Sequence, residues 1–324
     1  MAGTLPLSDE EDARVASYVD EFSDRFLKEP IRRYECIYRS HAFEDTRSVV
    51  ILYTAAQAFA LKIDTESPDT DRLKNEYDLL VELYRYFEGN DTSRVVRPVY
   101  LSPGGAFLVT EYINRPTAVD LIYNSEDDDQ VAQVYRRAGS WLNDLHSRNP
   151  PIRYAFRPRW MTDSLRDLIT AVPNDIASQS RTMVNVMLDE GARLKGTEDL
   201  RMFSHGDFHG QNLIVGQGKT IGLDFTEARD KLAVYDIVDF LKADIFRNGI
   251  ASDVDRSGIL KRNKDMFFRL YRHPVNVEIL DYCIRGRLLK DWLALWRIDH
   301  ECSEFEKDKR QRLGNRLRIA FQHL

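Results

Sequence analysis

The sequence predicts an α+β protein of two lobes, a small β-rich one followed by a larger and mostly helical one. Three observations carry that prediction. Short runs of β-branched and aromatic residues crowd into roughly the first 110 positions. Helical periodicity dominates the rest of the chain. The second half is broken by one glycine-rich polar segment with strand character, "HGDFHGQNLIVGQGKTIGLDF" at 205–225. The expected division is 1–112 and 113–324.

Element by element, Ser8 with Glu11 reads as a capping box opening a helix, with Val15, Tyr18, Val19, Phe22 and Phe26 on one face. "RYECIYRS", "SVVILYT" and "AQAFALKID" are three β-rich runs. "TDRLKNEYDLLVELYRYF" has helical period through Leu73, Tyr77, Leu80, Leu83 and Tyr84. "VVRPVYLS", a turn at Gly104–Gly105 and "AFLVTEYI" form a hairpin. Past "INRPT", Ser125 is the expected cap of a helix striped by Val131, Val134, Ala138, Trp141, Leu142 and Leu145. Further helices are expected near 175–194, 231–248, 276–299 and 303–322. The only strands expected in this half are "NLIVG" and "TIGLDF", turning at Gly216–Gly218.

Bulk properties exclude several classes. The chain has 324 residues, a net charge of −6 and no basic stripe interleaved with aromatics, which argues against nucleic acid as partner. Cys36, Cys283 and Cys302 stand far apart with no CxxC pair, which excludes a disulfide framework or zinc ribbon. "VVILYTAAQAFAL" is too short and interrupted to span a bilayer. The acidic start lacks the cationic head and apolar core of a signal peptide. The expected compartment is the cytoplasm, with no membrane partner.

The polar segment holds the chemistry. Asp207 and Asn212 share one loop of small residues, and a hairpin after them returns to Asp224. Asparagine and aspartate oxygens suit a hard cation such as Mg²⁺, and Asp207 is placed to orient an incoming hydroxyl. Phosphoryl transfer asks for little more: a metal on the phosphates, a carboxylate on the nucleophile and a cation on the nucleotide. Lys62, between Leu61 and Ile63 in a strand, supplies the cation, and Glu76 in the next helix its ion-pair partner. The backbone of Glu111 and Ile113 in "FLVTEYI" suits an adenine edge.

Taken together, "HGDFHGQN", "IGLDFTEA", "LNDLHS" and "YDIVDF", with Lys62 and Glu76 upstream, resemble the aminoglycoside phosphotransferase and choline kinase superfamily over roughly residues 35–245. The resemblance implies a bilobal protein-kinase-like fold that uses ATP and Mg²⁺ to phosphorylate a hydroxyl of a small molecule. It implies Asp207 as catalytic aspartate, Asn212 and Asp224 as metal ligands, and Lys62 as nucleotide lysine. One departure stands out. The turn "SHAFEDTR" lacks the glycine of phosphate-covering loops, leaving the Ser40 hydroxyl as donor and Glu44 and Asp45 to repel phosphate. A pseudokinase that binds nucleotide without turnover is therefore the alternative.

Other readings fail on residues. "GDFHG" also resembles the GDxHG signature of binuclear metallophosphoesterases, but the later Gly-Asn-His and Gly-His-x-His ligands are missing. A protein kinase would need an activation segment ending in A-P-E, whereas Ala228 leads within a few residues into "DKLAVYDIVDFL". His205 and His146 are expected to be structural, His209 a loop residue, and Asp236 a helix cap or a brace for the catalytic loop. The acceptor stays open. Asp239, Asp291, Asp299 and Glu301 suit a cationic amine, Arg159, Arg285, Arg287 and His300 suit an anion, and Trp160 suits a ring.

Overall fold

The computed structural model describes residues 4–40, 43, 46–216, 218–297 and 302–322. Two compact units make up the chain: Met1–Pro116 with Gly216–Glu227, and Thr117–Val215 with Ala228–Leu324. The segment carrying Asp224 thus belongs to the first unit, although it lies beyond residue 113 in sequence.

In the first unit, α1 (Asp9–Phe22) opens on the Ser8/Glu11 capping box and runs into a π-helical turn, Ser23–Leu27. Three strands come next, β1 (Arg33–Arg39), β2 (Arg47–Tyr53) and β3 (Ala58–Asp64). The single-turn α2 (Ser67–Thr70) precedes α3 (Arg72–Tyr86), and then come β4 (Ser93–Val95), β5 (Pro98–Leu101) and β6 (Phe107–Glu111). The main sheet is antiparallel in the order β1-β2-β3-β6-β5. "VVRPVYLS" is not one strand. It breaks before Pro98, which has no N–H to donate, and β4 instead pairs in parallel with β10 (Thr220–Gly222).

The period of two decides which face does chemistry. Phe59, Leu61 and Ile63 of β3 bury against Val15, Val19 and Phe22 of α1. Lys62, between them, must point to the opposite face, toward α3. There Leu73, Glu76, Leu80 and Leu83 form the buried stripe.

The second unit begins with α4 (Ala118–Asn124), α5 (Asp128–His146), β7 (Ile152–Ala155), α6 (Arg159–Ala171) and α7 (Asn174–Leu194). Next are β8 (Glu198–Ser204), a 3-10 turn at Gly210–Asn212 and β9 (Leu213–Val215). After β11 (Arg229–Leu232) the chain is helical, with α8 (Val234–Leu241), α9 (Lys261–Phe268), α10 (Val277–Trp296) and α11 (Glu304–Phe321). No described helix is long and apolar enough to cross a membrane.

Two expectations are corrected here. Ser125 is not the cap of the long helix. It ends α4, and the Asp127 carboxylate accepts the Asp129 and Gln130 N–H groups at the start of α5. The unit also holds a three-stranded antiparallel sheet, β11-β8-β7, where no strand was expected. Its edge strands "RDKL" and "IRYA" are largely exposed and lack the alternation that betrays a half-buried strand.

Candidate active site

In the first unit, one ammonium gathers two carboxylates. Lys62 Nζ donates to both Glu76 oxygens at 3.0 and 2.9 Å and to Asp224 Oδ1 at 2.8 Å. Glu76 is almost fully buried, while the Asp224 side chain is 40% exposed. The buried end anchors the lysine, and the exposed end can exchange partners. Burial alone would lower the Lys62 pKa, but the charges of Asp224 and Glu76 outweigh it and hold the ammonium above its ordinary value. Burial pushes the Glu76 carboxyl up, against the pull of Lys62.

Backbone geometry presents Asp224. The strand ends at Gly222, and Asp224 lies beyond it at φ +55°, a left-handed conformation that aspartate tolerates better than most residues. Thr226 fastens it, donating its hydroxyl to Oδ1 at 2.7 Å. The Phe225 N–H reaches Glu76 Oε1 at 3.3 Å, tying the same turn to α3.

The second unit presents Asp207. In "HGDF" the two ends turn inward and the middle outward: His205 and Phe208 are fully buried, whereas the Asp207 side chain is half exposed. Phe208 stacks on Trp141 of α5 and Phe240 of α8, with ring centroids 5.3 and 5.1 Å away. Gly206, at φ +85°, makes the turn that a side chain would resist.

That turn leaves the His205 and Gly206 N–H groups outside any ladder. Both donate to the buried Asp236 carboxylate, at 2.7 Å to Oδ2 and 2.9 Å to Oδ1. His146 Nε2 lies 3.2 Å from the same Oδ2, and its Nδ1 lies 2.8 Å from the Tyr271 hydroxyl. Burial would raise the Asp236 pKa, but the His146 bond and charge and the Gly206 N–H outweigh it and hold the carboxyl below the usual range. Lys231 Nζ donates to the Gly206 carbonyl at 3.0 Å. Asp236 is thus a brace under the loop, and Tyr271 and Lys231 are supports that sequence reading missed. Nothing in their spacing marks them.

Asn212 Nδ2 donates to the Asp207 carbonyl at 3.0 Å. With its nitrogen turned to the loop, the amide oxygen is the donor it can offer a cation. Asn212 in the second unit and Asp224 in the first each present a hard oxygen donor at a partly exposed position, the donor type that Mg²⁺ takes. The histidine beside Asp207 and Asn212 is His209, whose Nε2 lies 3.3 Å from both Asp207 Oδ2 and Asn212 Nδ2.

The remaining nucleotide candidates belong to the first unit. The Glu111 N–H is spent on the Arg97 carbonyl at 3.0 Å, and its carboxylate takes the Arg97 N–H at 2.8 Å, so its carbonyl is what it can offer an adenine edge. The Ile113 carbonyl accepts the Arg115 N–H at 2.9 Å. Ser40 closes the β1–β2 end, its N–H on the Arg47 carbonyl at 3.0 Å. Glu44 and Asp45 lie outside the described residues, as do Asp299, His300, Glu301 and His323.

Several acceptor candidates are already committed. Arg285 is buried and paired with Glu190, and Arg159 is a surface residue paired with Asp163 at 3.0 Å. Asp239 is held by Arg287 at 2.7 Å and Lys242 at 3.2 Å, so it is not a free anchor for an amine.

A lysine on the third strand clasped by a glutamate on the following helix, in a unit separate from a helical one with an aspartate-bearing loop, defines a kinase-like phosphotransferase architecture. Comparison agrees: residues 42–260 match the phosphotransferase enzyme family (APH), and the chain belongs to that family. Among solved structures it is similar to the spectinomycin phosphotransferase APH(9)-Ia solved with ADP and spectinomycin, at TM-score 0.62 and 12% identity over 94% of this chain and 97% of that one. A glucosamine kinase solved with glucosamine, ADP and inorganic phosphate aligns at TM-score 0.57 and 17% identity, over 85% and 80% of the two chains. The choline kinase LicA from Streptococcus pneumoniae aligns at TM-score 0.56 and 14% identity, over 94% and 99%. No curated protein matches the sequence.

Proposed function

We propose that this protein transfers the γ-phosphoryl group of ATP, with Mg²⁺, to a hydroxyl group of a small molecule in the cytoplasm. The observation that carries the reading is the convergence of Glu76 and Asp224 on Lys62 at 2.8–3.0 Å. Active kinases require this lysine–glutamate pair and a metal-binding aspartate together. Bound Mg·ATP would supply the phosphoryl group and the divalent charge that neutralises it. Lys62, steadied by Glu76, binds α- and β-phosphate oxygens. Asn212 and Asp224 hold the metal. Asp207 orients the acceptor hydroxyl and takes its proton. The Glu111 carbonyl and the Ile113 N–H meet the adenine edge, and the Ser40 hydroxyl meets phosphate.

The test is Asp207→Ala. Turnover should fall by about 10²–10⁴-fold, the range for loss of a general base, with nucleotide affinity nearly intact. Near-normal turnover defeats the assignment of Asp207. Asp224→Ala should instead weaken binding of the Mg-nucleotide itself. A wild-type protein that binds nucleotide but phosphorylates no hydroxyl compound would be the pseudokinase suggested by the glycine-free turn.

A further inference from the structure

The catalytic loop shares its unit with a group of side chains that the proposed chemistry leaves unused. Arg287 on α10 donates to Asp239 of α8 through Nη2 at 2.7 Å and Nε at 3.3 Å. Lys242 donates to the same Asp239 oxygen at 3.2 Å. Lys290 follows Arg287 by three residues, so both emerge on one face of α10. Among the described residues Lys290 has no carboxylate within ion-pair distance, even though Asp291 is its sequence neighbour. Arg287 and Lys242 therefore share the one carboxylate of Asp239, and Lys290 stands beside them without an ion-pair partner among the described residues.

Their surroundings point at the chemistry. Burial works against the Arg287 charge, and Asp239, with smaller pulls from Asp291 and Asp207, outweighs it and holds the guanidinium above its ordinary value. Burial and the charges of Arg287 and Lys242 lower the Lys290 pKa against the opposite pull of Asp291 and Asp239. Beside them stands an aromatic wall. The Arg287 guanidinium lies 5.9 Å from the centroid of the half-exposed Trp160 ring. The Trp160 indole N–H donates to the Tyr235 hydroxyl at 3.2 Å, and the two rings meet edge to face at 5.5 Å.

We propose that the acceptor is an anionic polyol or sugar, its carboxylate or phosphate monoester seated on Lys290 and Arg287 and its carbon skeleton against Trp160. The inference rests on Asp207 as the base that receives the acceptor hydroxyl. Asp239 occupies the Nε and Nη2 side of Arg287, which leaves Nη1 and the second Nη2 hydrogen to meet an oxyanion end-on. Lys290 is a compact charge that adds strength without fixing orientation.

The experiment uses the full chain with Mg²⁺ and a non-hydrolysable ATP analogue. Calorimetric binding is measured for two matched sets: glucose, glucuronate, glucose 6-phosphate and glucosamine; glycerol, glycerate, glycerol 3-phosphate and serinol. Anionic members of at least one set should bind about 10- to 100-fold more tightly than their neutral partner, as one charged hydrogen bond implies. Preference between carboxylate and phosphate separates the two sources of charge. Lys290→Gln should erase that advantage, leave neutral ligands and the ATP analogue unaffected, and keep the melting temperature. Preference for neutral or amine members, indifference to Lys290→Gln, or no binding overturns the inference. Phosphoryl transfer from ATP is assayed separately. Transfer to neutral or amine acceptors would sink the anionic site but keep the kinase, whereas anion binding with no transfer to any acceptor would sink the kinase.

Discussion

Asp236→Asn is the sharpest probe of how the Asp207 loop is held. The native carboxylate is fully buried and engages His205 N–H, Gly206 N–H and His146 Nε2 at 2.7, 2.9 and 3.2 Å. Asparagine keeps the volume but has one acceptor oxygen. Turned toward His205 and His146, it aims its NH₂ at the Gly206 N–H, donor against donor. The lost charged bond costs about 1.5–3 kcal/mol, and weakening the other two to neutral bonds adds roughly 1 kcal/mol each. The expected loss is about 3.5–5 kcal/mol. All four tryptophans (Trp141, Trp160, Trp292 and Trp296) lie in the second unit, so their fluorescence in a urea titration at pH 7 reports that unit. The loop should also shift, with turnover falling about 10²-fold and more than ATP affinity does. A stability change under about 1 kcal/mol would refute the reasoning, because a buried triple acceptor cannot be that dispensable.

Acid should act through the same residue. Asp236 has a folded pKa below its unfolded value of about 3.9, so its contribution is fully present above that pH and fades as pH falls through the folded value. The stability gap between wild type and Asp236→Asn should therefore narrow below about pH 4 in urea titrations; a constant gap would exclude this linkage. Lys62→Met strips the ammonium from the buried Glu76 carboxylate. It should cost up to about 3–5 kcal/mol and weaken nucleotide binding, while Lys62→Met with Glu76→Gln should recover part of the stability in thermal unfolding. Gly139→Ala would put a Cβ 2.1 Å from the Phe267 carbonyl oxygen, forcing α5 away from α9. A loss of about 1–3 kcal/mol in thermal unfolding is expected, and an unchanged midpoint would show that the helices can part freely.

What the sequence reveals depends on whether a residue's neighbours lie close in the chain. Lys62 was legible because Leu61 and Ile63 flank it in a strand with a clear core face, and Glu76 because its helix comes next in the chain. The capping box at Ser8 and the hairpin at Gly104–Gly105 are likewise local. The hidden sheet was not legible, since "IRYA" and "RDKL" are exposed edges whose identity comes from pairing with β8. α9 reads as "KRNKDMFF", in which Asn263 and Lys264 are buried by partners that sequence spacing cannot name.

The same distinction explains the site. The type of each residue at 205–212 can be read, but what makes Asp207 usable is a support assembled from α5, α8 and Tyr271, distant in sequence. An apolar support would not serve. The positive φ at Gly206 turns two N–H groups into the interior, and buried donors without acceptors would cost more than any packing there returns. A single ionised carboxylate satisfies both, and His146 with Tyr271 behind it keeps that carboxylate's charge tolerable in the core. The loop therefore holds its outward aspartate only while the inward one stays charged, which makes the buried Asp236 as necessary to the proposed chemistry as the exposed Asp207.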